Sequence, residues 1–205
     1  ADKDTTSTKN GFRDIYQSFR KHEADVLIGT QMIAKGLHLP KVNLVGVILA
    51  DIGLNVPSFK SSERNFQLMT QVSGRAGRAG HDGKVIIQTY NPDHFALICT
   101  KNHDYQGFFN YERQQRQILH NPPFGKLVKI TIENKFETGC KKEIAHLEDL
   151  LWRIARETDQ AKSLEINSFP AYITRLKGQY RYNILIKDRE NNSLQELLAK
   201  LPKEY

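Results

Sequence analysis

The chain is poor in the residues that build metal centres and covalent crosslinks. Its 205 residues include two cysteines, Cys99 and Cys140, which stand far apart and form no CxxC pair. This spacing predicts neither a zinc site nor a disulfide framework, and it is typical of a protein of the reducing cytoplasm. No apolar run reaches the length of a transmembrane helix, and residues 1–4 do not resemble a signal peptide, so we expect no membrane contact.

The sequence also lacks a phosphate loop. Neither GxxxxGKS nor GxxxxGKT occurs, and no acidic box of the kind that holds Mg²⁺ beside such a loop is present. What the chain does contain is 39% hydrophobic residues, which is typical of a globular protein with one large or two small domains. Its net charge of +7 is spread over both halves and suits a polyanionic partner, although many proteins without one carry as much.

Two glycines and two arginines alternate in the segment QVSGRAGR, residues 71–78. Glycine lets a backbone approach a ligand closely, and the guanidinium groups of Arg75 and Arg78 each match two phosphate oxygens at once. The pattern of residues 62–69 predicts a helix, capped at Ser61 or Ser62, that leads into these glycines. The segment is therefore a candidate phosphate-binding turn, and the alternative is a solvated loop.

Three apolar segments, residues 25–30, 44–51 and 83–90, have the pattern of short buried strands separated by helices. This order predicts a parallel α/β sheet, and the nearly continuous apolar run at 44–51 predicts that both sheet faces are covered. Such sheets place ligands at the carboxyl ends of their strands. We expect Gly29, Thr30 and Gln31 at this edge, because they follow the first strand, together with Asp51, which ends the second.

Two longer stretches resemble a known family. GTQMIAKGLHLPKVNLVGVILAD at residues 29–51 and SERNFQLMTQVSGRAGRAG at residues 62–80 resemble motifs V and VI of superfamily 2 helicases. More narrowly, they resemble the primosomal replication-restart helicases of bacteria. The resemblance is strong over residues 20–92, and the rest of the chain follows that family's order of segments. One departure is His38, which stands where many superfamily members carry an aspartate.

The resemblance implies two groups of site residues. At the nucleotide it implies Gln71, Arg75 and Arg78 as catalytic residues, with the arginines as fingers at the γ-phosphate, and Gly74, Gly77 and Asp51 as nucleotide contacts. Coupling of ATP to the DNA strand is implied for Gly29, Thr30, Gln31, Lys35 and Gly36. The alternatives are a solvated charge at a helix end for Lys35 and a strand-end cap for Asp51.

The resemblance also implies cofactors and partners. The parent would be an ATP-dependent 3′ to 5′ DNA helicase that remodels stalled or branched forks and restarts replication by primosome assembly. ATP and Mg²⁺ would be bound mainly by a lobe that these residues do not include, so we expect this chain alone not to hydrolyse ATP. The family's zinc module has no ligands here. Forked or single-stranded DNA, single-stranded DNA-binding protein and other primosome proteins are the implied partners, in the cytoplasm at the nucleoid.

The rest of the chain predicts a small separate domain. We expect the second half of a RecA-like helicase lobe at residues 1–92, a helical linker at 93–121 and a C-terminal domain at 122–205, after the helix-stopping segment NPPFG. Alternating strands and the helical stripe Ile144, Leu147, Leu151 and Ile154 give the order β-α-β-β-α. This α+β layer is similar to the family's C-terminal domain, which resembles ribosomal protein S10. Trp152 is interpreted as packing at the core or its rim.

Basic residues of this domain predict a DNA contact. Arg175, Lys177 and Arg181 lie in a stretch without acidic residues, and Tyr172 and Tyr180 could stack on exposed bases. We expect these cations to share one side of the small sheet with Lys126, Lys129 and Lys187. The alternative is an ordinary solvated face with the tyrosines in the core.

Two other functions stay open from the sequence. The chain could be a binding module for branched DNA or a protein partner, with the α/β half as its scaffold. It could also belong to another superfamily 2 translocase, including an RNA helicase. The paired arginines favour the motor, because a scaffold has no need of them.

Overall fold

The structure, a computed structural model, describes residues 11–31, 42–74, 83–190 and 193–202. The chain divides into two units, residues 1–108 and 109–205. This division falls within residues 93–121, the segment for which the sequence predicts a linker. The two units are described in turn.

The first unit is an α/β arrangement. Its elements are α1 (Gly11–Arg20), β1 (Leu44–Val47), α2 (Asp51–Leu54), α3 (Ser61–Ser73), β2 (Lys84–Ile87) and α4 (Phe95–Lys101), and the first residues of α5 (Tyr105–Ile118) complete it. Strands β1 and β2 pair in parallel, from Leu44 opposite Lys84 to Val47 opposite Ile87. The parallel sheet predicted from the sequence is confirmed for these two strands.

Two predictions about the sheet are wrong. Residues 25–30 form no strand, and Val26 is 73% exposed. A strand exists by hydrogen bonding to a neighbour, and in the described part of the chain no strand lies beside this segment. Among the residues that the structure describes, apolar packing covers one face of the sheet, where Val47 and Ile87 pack on Ala50, Met69 and Leu97. On the other face Leu44 and Ile86 are exposed.

Helix α3 is held by apolar contacts on its inner face. The ring of Phe66 stacks on Phe108 with 4.1 Å between centroids, and both pack with Ala96 and Cys99. The predicted serine cap is wrong, because Ser61 is the first helical residue and its hydroxyl donates to the carbonyl of Ser58. The position before the helix is Lys60, which caps nothing with its side chain.

The second unit is an antiparallel α+β layer. Its elements are β3 (Lys126–Asn134), α6 (Glu137–Glu157), β4 (Leu164–Leu176), β5 (Gln179–Asp188) and α7 (Leu194–Ala199), preceded by the remainder of α5. The sheet order is β3-β5-β4. The predicted order β-α-β-β-α and the α/β plus α+β fold class are confirmed.

Alternation along the strands places the second core between the sheet and α6. Ile184 and Ile186 of the central strand are fully buried, and they pack on the predicted helical stripe. Trp152 packs at the edge of this core, as interpreted from the sequence. A burial of this kind supplies most of the stability of such a small domain, because each large aliphatic side chain contributes about 1.5–3 kcal/mol.

A glycine sets how closely two segments of this unit approach. A Cβ on Gly125 would lie 2.2 Å from the carbonyl oxygen of His120 and 2.9 Å from that of Asp188. Asp188 is itself fully buried, and its Oδ2 accepts hydrogen bonds from the backbone N–H groups of Ser193 and Leu194 at the start of α7. Gly125 therefore packs against the backbone of a residue that anchors the last helix.

We expect Gly125→Ala to destabilise the second unit by about 1–3 kcal/mol or more, because backbone atoms cannot move aside for the new methyl group. Urea unfolding followed by the fluorescence of Trp152, the one tryptophan of the chain, measures this. Gly139→Ala is the comparison variant, since the atoms nearest its Cβ belong to the side chain of Asn134 and not to the backbone. Displacing that side chain costs at most its hydrogen bonds to Glu143 and to the Phe136 N–H, so we expect a smaller loss. Equal midpoints for the two variants would contradict the packing argument.

Candidate functional site

The carboxyl ends of β1 and β2 are joined by a junction at Ala50 and Asp51. The N–H of Ala50 donates to the carbonyl of Gln88 at 3.0 Å, which continues the β1–β2 pairing past the strand ends. The carbonyl of Ala50 accepts from Nδ2 of Asn65, at 2.8 Å, in a buried hydrogen bond. Asn65 lies on α3, so this one residue ties the helix that precedes Arg75 and Arg78 to the sheet edge.

The carboxylate of Asp51 faces inward and is fully engaged. Asp51 is 8% exposed, its Oδ1 accepts from the Thr89 hydroxyl at 2.9 Å, and its Oδ2 accepts from the Tyr90 N–H at 3.0 Å. Burial raises the pKa of Asp51, but the hydrogen bonds from Tyr90 and Thr89 outweigh it, so the pKa is lowered on balance. This geometry favours the strand-end interpretation of Asp51 over a contact with nucleotide.

The end of α3 presents Gln71 and Gly74 to solvent. Val72 beside them is buried, and the N–H of Gly74 bonds to the carbonyl of Thr70 at 3.1 Å. A helix carboxyl end carries partial negative charge, so the helix itself disfavours phosphate at this point. Arg75 and Arg78, the residues predicted to bind phosphate, lie outside the described residues together with Gly77.

The residues predicted to couple ATP to DNA are only partly described. Gly29, Thr30 and Gln31 are exposed, whereas Lys35 and Gly36 lie outside the described residues. Within residues 11–31, 42–74 and 83–108, no hydrogen bond joins Thr30 or Gln31 to Gln71 or Asp51. The described hydrogen bonds therefore join Asp51 and Asn65 at the sheet edge, and none of them includes residues 29–31.

The six cations of the second unit do not share one side of its sheet. Residues opposite each other in register project from the same face, so Arg175 lies on the same face as its partner Tyr180. Consecutive residues of a strand project from opposite faces, so Arg181, which follows Tyr180, lies on the other face. The guanidinium of Arg175 lies over the Tyr180 ring, 5.3 Å from its centroid. Lys126 pairs with Asp188 and is also on the Tyr180 face. The predicted common face is wrong because it ignored this pairing.

Acidic neighbours take up part of the positive charge on the other face. Nε of Arg181 lies 2.8 Å from Oε1 of Glu133, and Nζ of Lys187 lies 3.9 Å from Oε2 of Glu165. Lys177 occupies the β4–β5 turn with a φ of 50°, followed by Gly178 at 81°. Arg175 and Lys177 are thus the exposed cations of the predicted DNA-binding trio.

Sequence reasoning missed Asn65 and Tyr90. A signal for Asn65 was available, because a polar residue stands beside Phe66 and four positions before Met69 on the inner face of a helix. Tyr90 is 85% exposed, three residues beyond the end of β2. Among the described residues, no cluster of His, Cys, Asp and Glu could hold a metal ion, and no helix there is long and apolar enough to cross a membrane.

The fold and a family comparison together define the class of protein. A model of the helicase conserved C-terminal domain matches residues 4–80, which contain β1, α3 and the segment QVSGRAGR. The first unit is thus part of the RecA-like C-terminal lobe of a helicase.

Relatives narrow the class to one family. A replication restart protein PriA of Bacillus subtilis is 42% identical over 207 aligned residues, which cover all of this chain and 25% of that protein. PriA of Synechocystis is 41% identical over 186 residues, with 91% of this chain and 22% of that protein covered. PriA of Treponema pallidum is 45% identical over 139 residues, 67% of this chain and 21% of that protein. The chain belongs to the PriA family, as the resemblance implied, and spans about a quarter of the length of these relatives.

We expect Asp51→Asn to lower Tm at neutral pH. An amide accepts hydrogen bonds only at its oxygen, so its NH₂ group would face the hydroxyl of Thr89 or the N–H of Tyr90, which are donors themselves. The pKa of Asp51 is lowered on folding, so the stability it contributes is present above the unfolded carboxyl pKa of about 4 and is lost as pH falls through the lower folded value. The Tm difference from wild type should therefore shrink below about pH 4. Circular dichroism melts from pH 7 to pH 2.5 measure it.

The exposed residue Asp93 supplies the control for this experiment. Asp93→Asn changes the same charge in the same unit without touching the junction, so it should leave Tm near that of wild type. A Tm difference for Asp51→Asn that is the same at pH 7 and at pH 2.5 would contradict the role given to the carboxylate.

Proposed function

We propose that this chain supplies the nucleotide-sensing edge and a DNA contact of an ATP-driven DNA helicase that restarts stalled or branched replication forks. The observation that carries the proposal is the anchoring of α3. Asn65 and Phe66 fix this helix to the sheet edge and to Phe108, while its exposed end leads into the two arginines. An anchored helix before Arg75 and Arg78 suits guanidinium groups that must reach a ligand in a fixed direction.

The chemistry asked of this turn is charge neutralisation. Transfer of a γ-phosphoryl group depends mostly on positioning and on cations that stabilise the developing charge. Arg75 and Arg78 would provide that charge and Gln71 would provide a hydrogen-bonding amide. ATP with Mg²⁺ would be held mainly outside these 205 residues, because the sequence has no phosphate loop. The chain by itself should then release no phosphate from ATP.

Coupling to DNA is proposed for residues 29–31 with Lys35 and Gly36. The described members of this set are exposed, and a hydroxyl, an amide and a lysine are suitable donors to strand phosphates. The 3′ to 5′ polarity and assembly of a primosome with single-stranded DNA-binding protein are part of the same proposal. It is supported by the relatives, each of which is a replication restart protein.

A second DNA contact is proposed at the β4–β5 turn. Arg175 and Lys177 are exposed there, and Tyr172, which is also exposed, precedes them on the segment where β4 leaves the register between Pro170 and Arg175. Arg181 contributes less, because Glu133 already pairs with it. A nucleic-acid strand would be bound through its phosphates, with stacking as an addition.

In a full-length helicase that carries this chain, we expect Arg78→Ala to lower DNA-stimulated ATP turnover by about 10³-fold while ATP binding changes little. The reason is that a finger acts on the transition state and not on the ground state. Steady-state phosphate release and nucleotide binding are measured on the same preparation. Arg113→Ala, which removes an exposed arginine of α5, is the control. Turnover that is unchanged in Arg78→Ala would make the turn a structural loop.

The DNA contact at the β4–β5 turn is tested by binding of this chain to a forked duplex at several salt concentrations. Arg175→Ala with Lys177→Ala should weaken binding at low salt and reduce the salt dependence by about one counterion for each lost contact. Lys142→Ala with Arg153→Ala on α6 is the control, because it also removes one exposed lysine and one exposed arginine. Salt-independent binding, or binding indifferent to the double substitution, would favour the alternative of a protein-docking module.

A further inference from the structure

We infer that Tyr90 is a stacking site for a base of single-stranded nucleic acid at the carboxyl end of β2. This inference rests on the proposed function in one respect, namely that the chain contacts nucleic acid. It assigns the contact to a residue that the helicase motifs at 29–51 and 62–80 do not contain.

The first observation is the exposure of the ring. Tyr90 is 85% exposed, the highest value among the exposed large hydrophobic side chains that the structure describes. An aromatic ring left in water offers a free π face, which every base can stack on regardless of sequence.

The second observation is the rigidity of the backbone below the ring. The N–H of Tyr90 donates to Oδ2 of Asp51 at 3.0 Å, and the hydroxyl of Thr89 donates to Oδ1 of the same carboxylate at 2.9 Å. On the other side, the N–H of Asn91 donates to the Thr89 hydroxyl at 3.0 Å. A ring on a fixed backbone has only two side-chain torsions to order on binding, so little entropy opposes stacking.

The position of Tyr90 agrees with a ligand site. Parallel α/β sheets bind their ligands outside the carboxyl ends of the strands, and Tyr90 stands three residues beyond the last residue of β2. The carboxylate of Asp51 is buried, and each of its oxygens already accepts a hydrogen bond from the chain, so we assign it to the backbone and not to the ligand. Its role in this arrangement is to hold Tyr90 in place.

The openness of the site selects a strand over a free nucleotide. A small ligand is usually bound in a cleft that buries about 70–90% of its surface, and a side chain that is 85% exposed has no such walls around it. A nucleic-acid strand does not need a cleft, because it adds weak contacts over successive nucleotides.

The direct test places a fluorescent reporter at the site. In this chain with Trp152→Phe, the substitution Tyr90→Trp leaves a single tryptophan, which is titrated with a short oligo(dT) and separately with ATP. We expect saturable quenching by oligo(dT) and none by ATP. Tyr105→Trp in the same background is the control, because Tyr105 is 65% exposed in the same unit but lies on α5. It should be quenched much less.

Affinity provides a second measurement that needs no change at Trp152. Tyr90→Ala should raise the Kd for oligo(dT) about fivefold or more at fixed salt, whereas Tyr90→Phe, which keeps the ring, should bind like wild type. Quenching by ATP alone, or binding that Tyr90→Ala leaves unchanged, overturns the inference and leaves the proposed function standing. If wild type binds no oligo(dT) even at low salt, the inference and the proposed DNA contact fail together. If Arg78→Ala leaves ATP turnover unchanged, in contrast, the proposed motor function fails alone.

Discussion

The first unit depends on the hydrogen bonds that converge on Ala50 and Asp51. Strands β1 and β2 have four residues each, and a sheet of two short strands is only marginally stable in water. The N–H of Ala50 extends the pairing by donating to the carbonyl of Gln88, and the Asp51 carboxylate closes the strand ends. Asn65 attaches α3 to the same point by donating to the carbonyl of Ala50. Because one point joins three elements, it sets the direction in which the end of α3 presents Gln71.

Periodicity in the sequence predicted those helices and strands of the second unit that bury one side. The stripe of α6 and the alternation in β3 and β5 both reflect one packed side, so the order β-α-β-β-α follows from them. Residues 25–30 have a strand composition as well, but composition does not show whether a neighbour is present to pair with. For the same reason the apolar run at 44–51 could not show that one sheet face stays open, as the exposure of Leu44 and Ile86 demonstrates.

Strand register and hydrogen bonds between distant residues could not be predicted from the sequence. The separation of Arg175 from Arg181 follows from the register opposite Tyr180, and the partial neutralisation of Arg181 follows from Glu133 on the neighbouring strand. The sequence suits Asp51 equally to a nucleotide contact and to a strand-end cap. The cap is favoured by its two hydrogen-bond donors, Thr89 and Tyr90, which lie 38 and 39 residues further along the chain. The motifs identified the family, whereas the hydrogen bonds show that Asp51 and Asn65, which both lie in the motifs, hold the sheet edge.

Amide hydrogen exchange at Tyr90 tests the junction most directly. Tyr90 lies beyond the β1–β2 ladder, and the hydrogen bond that its N–H makes in the structure goes to the side chain of Asp51. Our account expects the Tyr90 amide to be protected to a degree close to that of Gln88, which bonds to Val47, and expects Asp51→Ala to remove the protection of Tyr90 first. A Tyr90 amide that exchanges at the unprotected rate in the wild-type chain, while Gln88 stays protected, would contradict it.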